Sequence, residues 1–185
     1  MQLTAKKRAG ETKGAIKQIR RDGNVPAVFY APGEPGVSIE VNGPEFQAAM
    51  RNIKQGRLST TIFTLDVDGK KTKTIVKGIQ YDLISYDVIH LDFEELKEDI
   101  PITIKVPVEC VGKADCVGIK LGGFFRQIIR NVKVKCLPKD IPSEFSLNIS
   151  DLKIKQSRRL SDIAMPEGVK PITTADEVVV VIAKH

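Results

Sequence analysis

Tryptophan is absent from this chain of 185 residues, and aromatic residues make up only 5% of it. A surface that binds single-stranded nucleic acid by stacking every base needs several aromatic rings. The composition therefore argues against that class of protein. Only two histidines are present, His90 and His185, which nearly excludes metal sites built from histidine clusters. We expect neither a metal nor another cofactor.

Cysteine is also scarce. The three cysteines, Cys110, Cys116 and Cys136, are odd in number and lack the C-x-x-C spacing of zinc and redox motifs. Buried, reduced thiols in a cytoplasmic protein are the expected interpretation. The first residues lack the apolar segment of a secretory signal, and the apolar run 178–183 is too short to span a bilayer. We expect a soluble, cytoplasmic protein without a membrane partner.

Positive charge is present in excess, and it is concentrated at one end of the chain. There are 29 lysines and arginines against 23 acidic residues, a net charge of +6. Residues 1–21 hold seven of these cations and a single acid, Glu11, while residues 22–185 are balanced. A local cluster of cations predicts a polyanionic partner. The alternative is a solvated N-terminus without structure, but the apolar run Val25–Tyr30 that follows argues against it.

Alternating apolar and polar residues predict a small β domain in the first half of the chain. The segments that alternate or favour extended structure are 62–67, 70–79 and 87–93. Asp68 and Gly69 form a strong hairpin signal between the first two of these segments. One helix is predicted to begin at Pro44 and to be closed by Gly56. The first domain is thus predicted to be mainly antiparallel β with one clear helix.

The acidic run 94–99 marks the predicted domain boundary, which we place so that the domains span 1–94 and 95–185. The second domain is also predicted to be β-rich. Its strand-like segments are 102–107, 132–136 and a buried closing strand at 178–182. The glycine-rich segment 118–123 lacks the GK[ST] ending of a phosphate-binding loop. A tight turn between strands is the better prediction there.

His90 and Asp92 form the most suggestive pair of polar side chains. On a strand they point to one face, while Ile89, Leu91 and Phe93 point to the other. Three interpretations remain open from the residues alone. The pair could act in general acid–base catalysis, although no nucleophile is placed beside it. It could be an ordinary polar strand face, or it could contact RNA, with Asp92 accepting from base N–H groups or bracing an arginine.

Several short motifs together resemble a known family. They are Arg8, Lys13-Gly14-Ala15, Arg20, the run Gly23–Tyr30, His90-Leu91-Asp92-Phe93, and in the second half Val106-Pro107-Val108, Gly118-Ile119-Lys120, Gly122-Gly123 and Cys136–Pro142. In combination they resemble the bacterial large-subunit ribosomal protein numbered twenty-five, which binds 5S rRNA. The second half resembles the long, two-domain form, also called the CTC or general stress protein type.

This resemblance implies a fold and a set of contact residues. It implies an N-terminal six-stranded antiparallel β-barrel, like the anticodon-binding barrel of glutaminyl-tRNA synthetase, with few helices, followed by a C-terminal β-rich domain. Matched by position, the implied RNA-binding residues are Arg8, Lys13, Lys17, Arg20, Tyr30, His90 and Asp92. Two positions depart from the family pattern: Ala31 replaces a glycine, and Tyr81-Asp82 replaces His-Pro.

The expected function is that of a non-catalytic structural constituent of the large ribosomal subunit, located on the ribosome in the cytoplasm. Its expected partners are 5S rRNA and, through the C-terminal domain, neighbouring ribosomal proteins. Away from the ribosome we expect a monomer. Two alternatives belong to other classes. One is a stress-linked RNA-binding adaptor, and the other is a phosphodiesterase or hydrolase that uses His90 and Asp92.

Overall fold

Six strands of the first half of the chain close into a barrel in the computed structural model, which describes residues 1–8, 10 and 12–184. The strands are β1 (Gln2–Lys7), β2 (Val25–Tyr30), β3 (Val37–Val41), β4 (Ile62–Val67), β5 (Lys70–Tyr81) and β6 (Val88–Glu95). Around the barrel they follow the order β1-β3-β2-β6-β5-β4, and β4 pairs with β1. The predicted six-stranded barrel is confirmed.

The barrel is not antiparallel throughout, which corrects one detail of the prediction. Four pairings are antiparallel, but β2 pairs with β6, and β1 with β4, in parallel. Parallel neighbours cannot be joined by a tight turn. Long connections that contain helices separate the members of both pairs along the chain. Alternation has the same period in both strand directions, so the sequence pattern could not distinguish them.

A tight hairpin joins β4 to β5, as predicted. Asp68 and Gly69 have φ angles of 51° and 90°. Positive φ at both central residues is the conformation that a two-residue hairpin with right-handed strand twist requires. The Gly69 amide donates to Asp66 Oδ1 at 2.9 Å, which adds a side-chain hydrogen bond to the turn.

Apolar side chains from alternate strand positions fill the barrel. Phe46, Phe63 and Phe93 are fully buried at its centre, and Phe63 meets Phe93 edge to face with ring centroids 6.4 Å apart. Burial of a phenylalanine side chain contributes roughly 1.5–3 kcal/mol to stability. Leu91 and Phe93 of β6 point into this core, so the intervening polar residues of β6 point outward.

Two helices accompany the barrel. Helix α2 (Gly43–Asn52) is the predicted helix; it ends before Gly56, whose φ of 86° places it in a turn. Helix α1 (Lys13–Arg21) was not predicted as a helix. Its N-cap is Thr12, whose Oγ1 accepts from the Ala15 amide at 3.4 Å. Among the described residues, no helix is long and apolar enough to cross a membrane.

The second half contains two further β-sheets, which confirms the predicted β-rich character. Its elements are β7 (Ile102–Val111), α3 (Val117–Lys120), β8 (Phe124–Gln127), β9 (Asn131–Cys136), β10 (Phe145–Asn148), β11 (Ser157–Arg159), β12 (Lys170–Pro171) and β13 (Val178–Ala183). One sheet has the order β10-β7-β9-β12 and the other β11-β13-β8. The predicted closing strand is β13, in the middle of the smaller sheet.

The glycine-rich segment 118–123 contains more than the predicted turn. It begins inside the short helix α3, and only then does Gly122, with φ of 86°, turn the chain toward β8. A Cβ on Gly118 would lie 2.9 Å from Leu152 O, and one on Gly123 would lie 2.7 Å from Gly118 O. The glycines therefore serve close packing of the backbone. The three cysteines are free and buried, and burial raises the pKa of Cys110 and Cys136.

The chain divides into two compact units, Met1–Ile100 and Pro101–His185. The boundary predicted from the sequence lies between residues 94 and 95. Beyond β6, the Leu96 amide donates to Lys73 O at 2.9 Å, and Lys97 Nζ lies 2.9 Å from Glu34 Oε1. These contacts tie the end of the acidic run to the barrel.

Candidate nucleic-acid interface

Four of the seven cations near the N-terminus lie on one side of helix α1. At 3.6 residues per turn, Lys13, Lys17, Arg20 and Arg21 fall within an arc of about 100°. The buried Ile19 lies outside this arc, on the apolar side of the helix. The cations of the last turn also interact favourably with the helix dipole. We call these four residues the α1 cations. Of these, Arg21 was counted in the basic run of the sequence but not predicted as a contact.

Arg20 fixes the end of α1 to strand β6. Its Nε and Nη2 atoms donate to the Ile89 carbonyl at 3.3 and 3.0 Å. The guanidinium therefore lies next to the backbone that carries His90. Lys17 and Lys13 precede Arg20 by about 4.5 and 10.5 Å along the helix axis, at 1.5 Å per residue. In the described part of the chain, neither lysine has a carboxylate within ion-pair distance.

His90 and Asp92 lie side by side on the outer face of β6, as their spacing predicts. His90 Nδ1 is 3.1 Å from Asp92 Oδ1. The approach lacks hydrogen-bond geometry, and Nδ1 is buried without another partner in the described residues. The Asp92 side chain is 40% exposed, so its carboxylate is available to a ligand. Gln80 of β5 is paired with His90.

Gly78 makes room for the Asp92 carboxylate. It is directly opposite Asp92, next to a bulge in β5 at Lys77. A Cβ at this position would overlap the carboxylate oxygen Oδ2 and lie 3.2 Å from Cγ. Sequence reasoning missed Gly78, although a glycine inside a strand pattern is a signal for a bulge or a close approach.

A row of outward-facing residues runs from strand to strand around the outside of the barrel at the level of Asp92. The Arg8 amide donates to Ser38 O at 3.1 Å, one residue beyond the last β1–β3 pair. Ser38 pairs with Val28, Val28 with Asp92, and Asp92 with Gly78. Paired residues project from the same side of a sheet. Arg8, Ser38, Val28, Asp92 and Gly78 thus form one line, which we call the outer row.

Arg8 lies at one end of the outer row and carries hydrogen-bond donors that no described residue uses. Its Nε and Nη1 atoms are buried and have no hydrogen-bond partner among the described residues. A buried donor without an acceptor costs roughly 1–3 kcal/mol. A ligand that supplies an acceptor oxygen at this position would remove that cost. Arg8 is therefore expected to be more favourably placed when a ligand is bound than in the isolated protein.

Tyr30 lies two residues beyond Val28, opposite Glu94 of β6, and so projects from the same side of the sheet as Val28. Burial raises the pKa of its phenol, and the neighbouring Glu94 and Asp92 carboxylates raise it further. The phenol is therefore protonated at neutral pH and can donate a hydrogen bond. Lys77 forms an ion pair with Glu94, which offsets one of the two carboxylates on this face.

The two departures from the expected pattern lie at loops beside this face. Ala31 is buried directly after β2. Asp82 begins the β5–β6 turn, where its Oδ1 accepts from the Ile84 and Ser85 amides at 2.8 and 3.0 Å. These bonds hold the pKa of Asp82 below its ordinary value. Leu83 and Ile84 at the tip are each 91% exposed.

The structure brings five of the seven predicted contact residues to one region. Arg20, Tyr30, His90 and Asp92 lie on or against β2 and β6, and Arg8 closes the outer row from the β1 side. Lys13 and Lys17 lie further along α1, in the same arc as Arg20. The barrel thus carries a face with cations at its edges and hydrogen-bonding side chains at its centre.

Comparison with known proteins identifies the family of this chain. The model of the ribosomal L25p family matches residues 3–93, and the model of the C-terminal domain of ribosomal protein TL5 matches residues 101–185. The chain belongs to the bL25 family. Because both models match, it has the long, two-domain form of that family.

Curated bL25 relatives match the chain over its whole length. The large ribosomal subunit protein bL25 of Chlamydia muridarum (strain MoPn / Nigg) is 42% identical over 185 residues, which is 100% of each chain. The protein of the same name from Chlamydia abortus (strain DSM 27085 / S26/3) is 44% identical, again over 100% of both. The bL25 resemblance predicted from the short motifs is therefore confirmed.

Proposed function

We propose that this bL25 protein is a structural constituent of the large ribosomal subunit and that its barrel binds 5S rRNA. The observation that carries the proposal is the outer row, which lies on a face bordered by the α1 cations. The row contains a solvent-accessible Asp92 and an arginine, Arg8, with two buried donors that no described residue uses. The names of the bL25 relatives support the ribosomal assignment. The site of action is then the ribosome of the cytoplasm, and free protein is expected to be a monomer.

The α1 cations supply affinity in this proposal. Lysine side chains on an exposed helix can follow phosphates without requiring one fixed geometry. Contacts of this kind position a protein on RNA and make binding depend on salt, but they do not read sequence. Lys13 and Lys17 have this role, and Arg21 extends it. Arg20 is held by the Ile89 carbonyl, so its remaining donors reach the RNA from a fixed position.

The centre of the face supplies recognition. An ionised Asp92 only accepts hydrogen bonds, and it repels phosphate. Its ligands must therefore be base N–H groups or 2′-hydroxyls, which the shallow minor groove of RNA helices displays. The Tyr30 hydroxyl donates to an acceptor on the RNA, and His90 lies beside Asp92.

A catalytic role for His90 and Asp92 is less well supported. The alternative hydrolase would need a nucleophile or activated water beside the pair. The hydroxyl of the outer row, on Ser38, is two strands from Asp92, which is about 10 Å at a strand spacing near 4.8 Å. We therefore propose a non-catalytic role for the pair.

Titration of fluorescent 5S rRNA with the full chain tests the proposal, with a folded RNA of equal length and unrelated sequence as the competitor. We expect the 5S rRNA to bind at least about a thousand times more tightly than the competitor, as is typical of specific over non-specific nucleic-acid binding. Equal affinity for both RNAs would contradict a 5S-specific role. Sedimentation with large subunits separates the ribosomal role from that of a stress-linked adaptor, which would remain in the supernatant.

A further inference from the structure

The larger sheet of the second unit carries a face made of lysines. Strand β9 alternates, so Val132, Val134 and Cys136 are buried while Lys133 and Lys135 are exposed. Strand β7 also alternates, and both residues of the short strand β12 are exposed. The exposed lysines of this face are Lys105 on β7, Lys133 and Lys135 on β9, and Lys170 on β12. We call these four residues the lysine face.

The strand register places these lysines directly opposite one another. Lys105 pairs with Lys133, and Lys135 pairs with Lys170. Strands lie about 4.8 Å apart, and residues two positions apart on one strand are separated by about 6.7 Å. Like charges directly opposite each other in a sheet are destabilising. The lysine face therefore lowers the stability of the unit. A contribution to stability cannot explain why these lysines lie opposite one another.

Lys133, Lys135 and Lys170 have no carboxylate within ion-pair distance in the part of the chain that the structure describes. An open groove beside the face is lined by Lys105, Lys133 and Arg130. Among the described residues that line it, Glu177 is the one that is acidic. The cations thus form a connected patch around β9.

We propose that the lysine face binds the phosphate backbone of RNA, as a second RNA contact that is independent of the barrel. Repeated ammonium groups match the repeated single charges of a phosphate backbone. The face lacks aromatic side chains, and lysine does not make the bidentate contacts by which arginine reads guanine. The contact is therefore expected to be independent of sequence.

An acidic protein is a less suitable partner for this face. The centres of protein–protein interfaces are poor in lysine and rich in aromatic residues, methionine and arginine. The lysine face has the opposite composition. Lysine is also strongly hydrated, so it is better suited to a wet contact with phosphates than to a dry protein interface.

The test compares two variants of the full chain that each remove three exposed lysines from the second unit. The test variant is K133Q/K135Q/K170Q, and the matched control is K120Q/K153Q/K184Q. Each is titrated against large subunits that lack this protein, against isolated 5S rRNA, and against an RNA duplex of arbitrary sequence, at several salt concentrations. Thermal unfolding is measured for both. The full chain bound to large subunits is also treated with a lysine-directed crosslinker. Mass spectrometry then identifies the molecules that become joined to residues 101–185.

We expect the test variant to bind large subunits roughly tenfold more weakly. Its slope of log affinity against log salt should be reduced by roughly 0.7–0.9 for each phosphate that is no longer bound. The arbitrary duplex should show the same change in slope. The control should bind as the unchanged chain does. The melting temperature of the test variant should not fall, because facing like charges have been removed. If the melting temperature does fall, the single variants K133Q and K153Q are compared in place of the triple variants.

Three results would overturn the proposal. Equal weakening in both variants would show an effect of net charge alone. An unchanged test variant would show that the face is only solvated. Weaker subunit binding with unchanged duplex binding, and with crosslinks to a ribosomal protein, would identify an acidic protein as the partner. The affinity of the test variant for isolated 5S rRNA should stay within about twofold of that of the unchanged chain. A failure of the lysine-face proposal can therefore be distinguished from a failure of the proposed barrel site.

Discussion

At the scale of single residues, Asp92 distinguishes recognition from attraction. A carboxylate on a face that binds a polyanion is unfavourable unless it accepts specific hydrogen bonds. The fold nevertheless keeps Asp92 accessible and provides a glycine opposite it. His90 beside it and Tyr30 nearby give the same region one acceptor and several donors. Specificity is therefore expected to depend on few side chains.

The first prediction concerns Asp92→Ala. The substitution makes the protein more positive, so simple attraction would strengthen RNA binding. We expect affinity for 5S rRNA to fall by roughly 1–3 kcal/mol instead, because RNA donors are left without their acceptor. Asp87→Ala, at an exposed position just before β6, makes the same change in charge and should have little effect. Isothermal titration of both variants is the measurement, and tighter binding by Asp92→Ala would refute the recognition role.

The second prediction concerns Gly78→Ala. The added methyl group overlaps the Asp92 carboxylate and must displace it, so affinity for 5S rRNA should fall. In the Asp92→Ala background the same change should cost little more, because the carboxylate is no longer there to be displaced. A double-mutant cycle measures this coupling. Additive effects would mean that Gly78 acts through the strand and not through Asp92.

At the scale of elements, α1 shows what the sequence could not reveal. Its cations were identified from the sequence, but their density concealed the helical spacing of Ala15, Ile16 and Ile19. Strands with alternating patterns, such as β4 and β9, were predictable because the period of two is a local property. The outer row was not, because it depends on which residues pair across four strands. The lysine face was missed because it also depends on strand pairing. Along the chain its members are scattered among acidic residues, so they do not stand out as a group.

The third prediction concerns the affinity that α1 supplies. Replacing Lys13 and Lys17 by Ala should weaken binding about equally for all RNAs. It should reduce the slope of log affinity against log salt by roughly 0.7–0.9 for each lysine that binds a phosphate. Lys70 and Lys71, which are exposed on the β4–β5 hairpin, provide the matched pair, and their replacement should leave the slope unchanged. If both double variants had the same slope of log affinity against log salt, Lys13 and Lys17 would face solvent and not phosphates.

At the scale of the whole molecule, the chain combines two units that differ in how they carry charge. The first unit places cations on α1 beside the face that carries His90 and Asp92. The second presents lysines on a sheet, and lysine does not make the bidentate contacts by which arginine reads guanine. Our two proposals together give a division of labour, in which the barrel would select 5S rRNA and the second unit would add contacts that depend on charge. The end of the first unit lies after Lys97, which is tied to Glu34.

The most direct test of this account is a titration of 5S rRNA, at physiological salt, with the fragments 1–100 and 101–185 and with the full chain. Fragment 1–100 contains the complete barrel and its core, so we expect it to fold alone and to retain most of the affinity of the full chain. Fragment 101–185 should fold but bind weakly and equally to an unrelated RNA. Tight, specific binding by fragment 101–185, or the absence of binding by a folded fragment 1–100, would contradict the assignment of 5S rRNA recognition to the barrel.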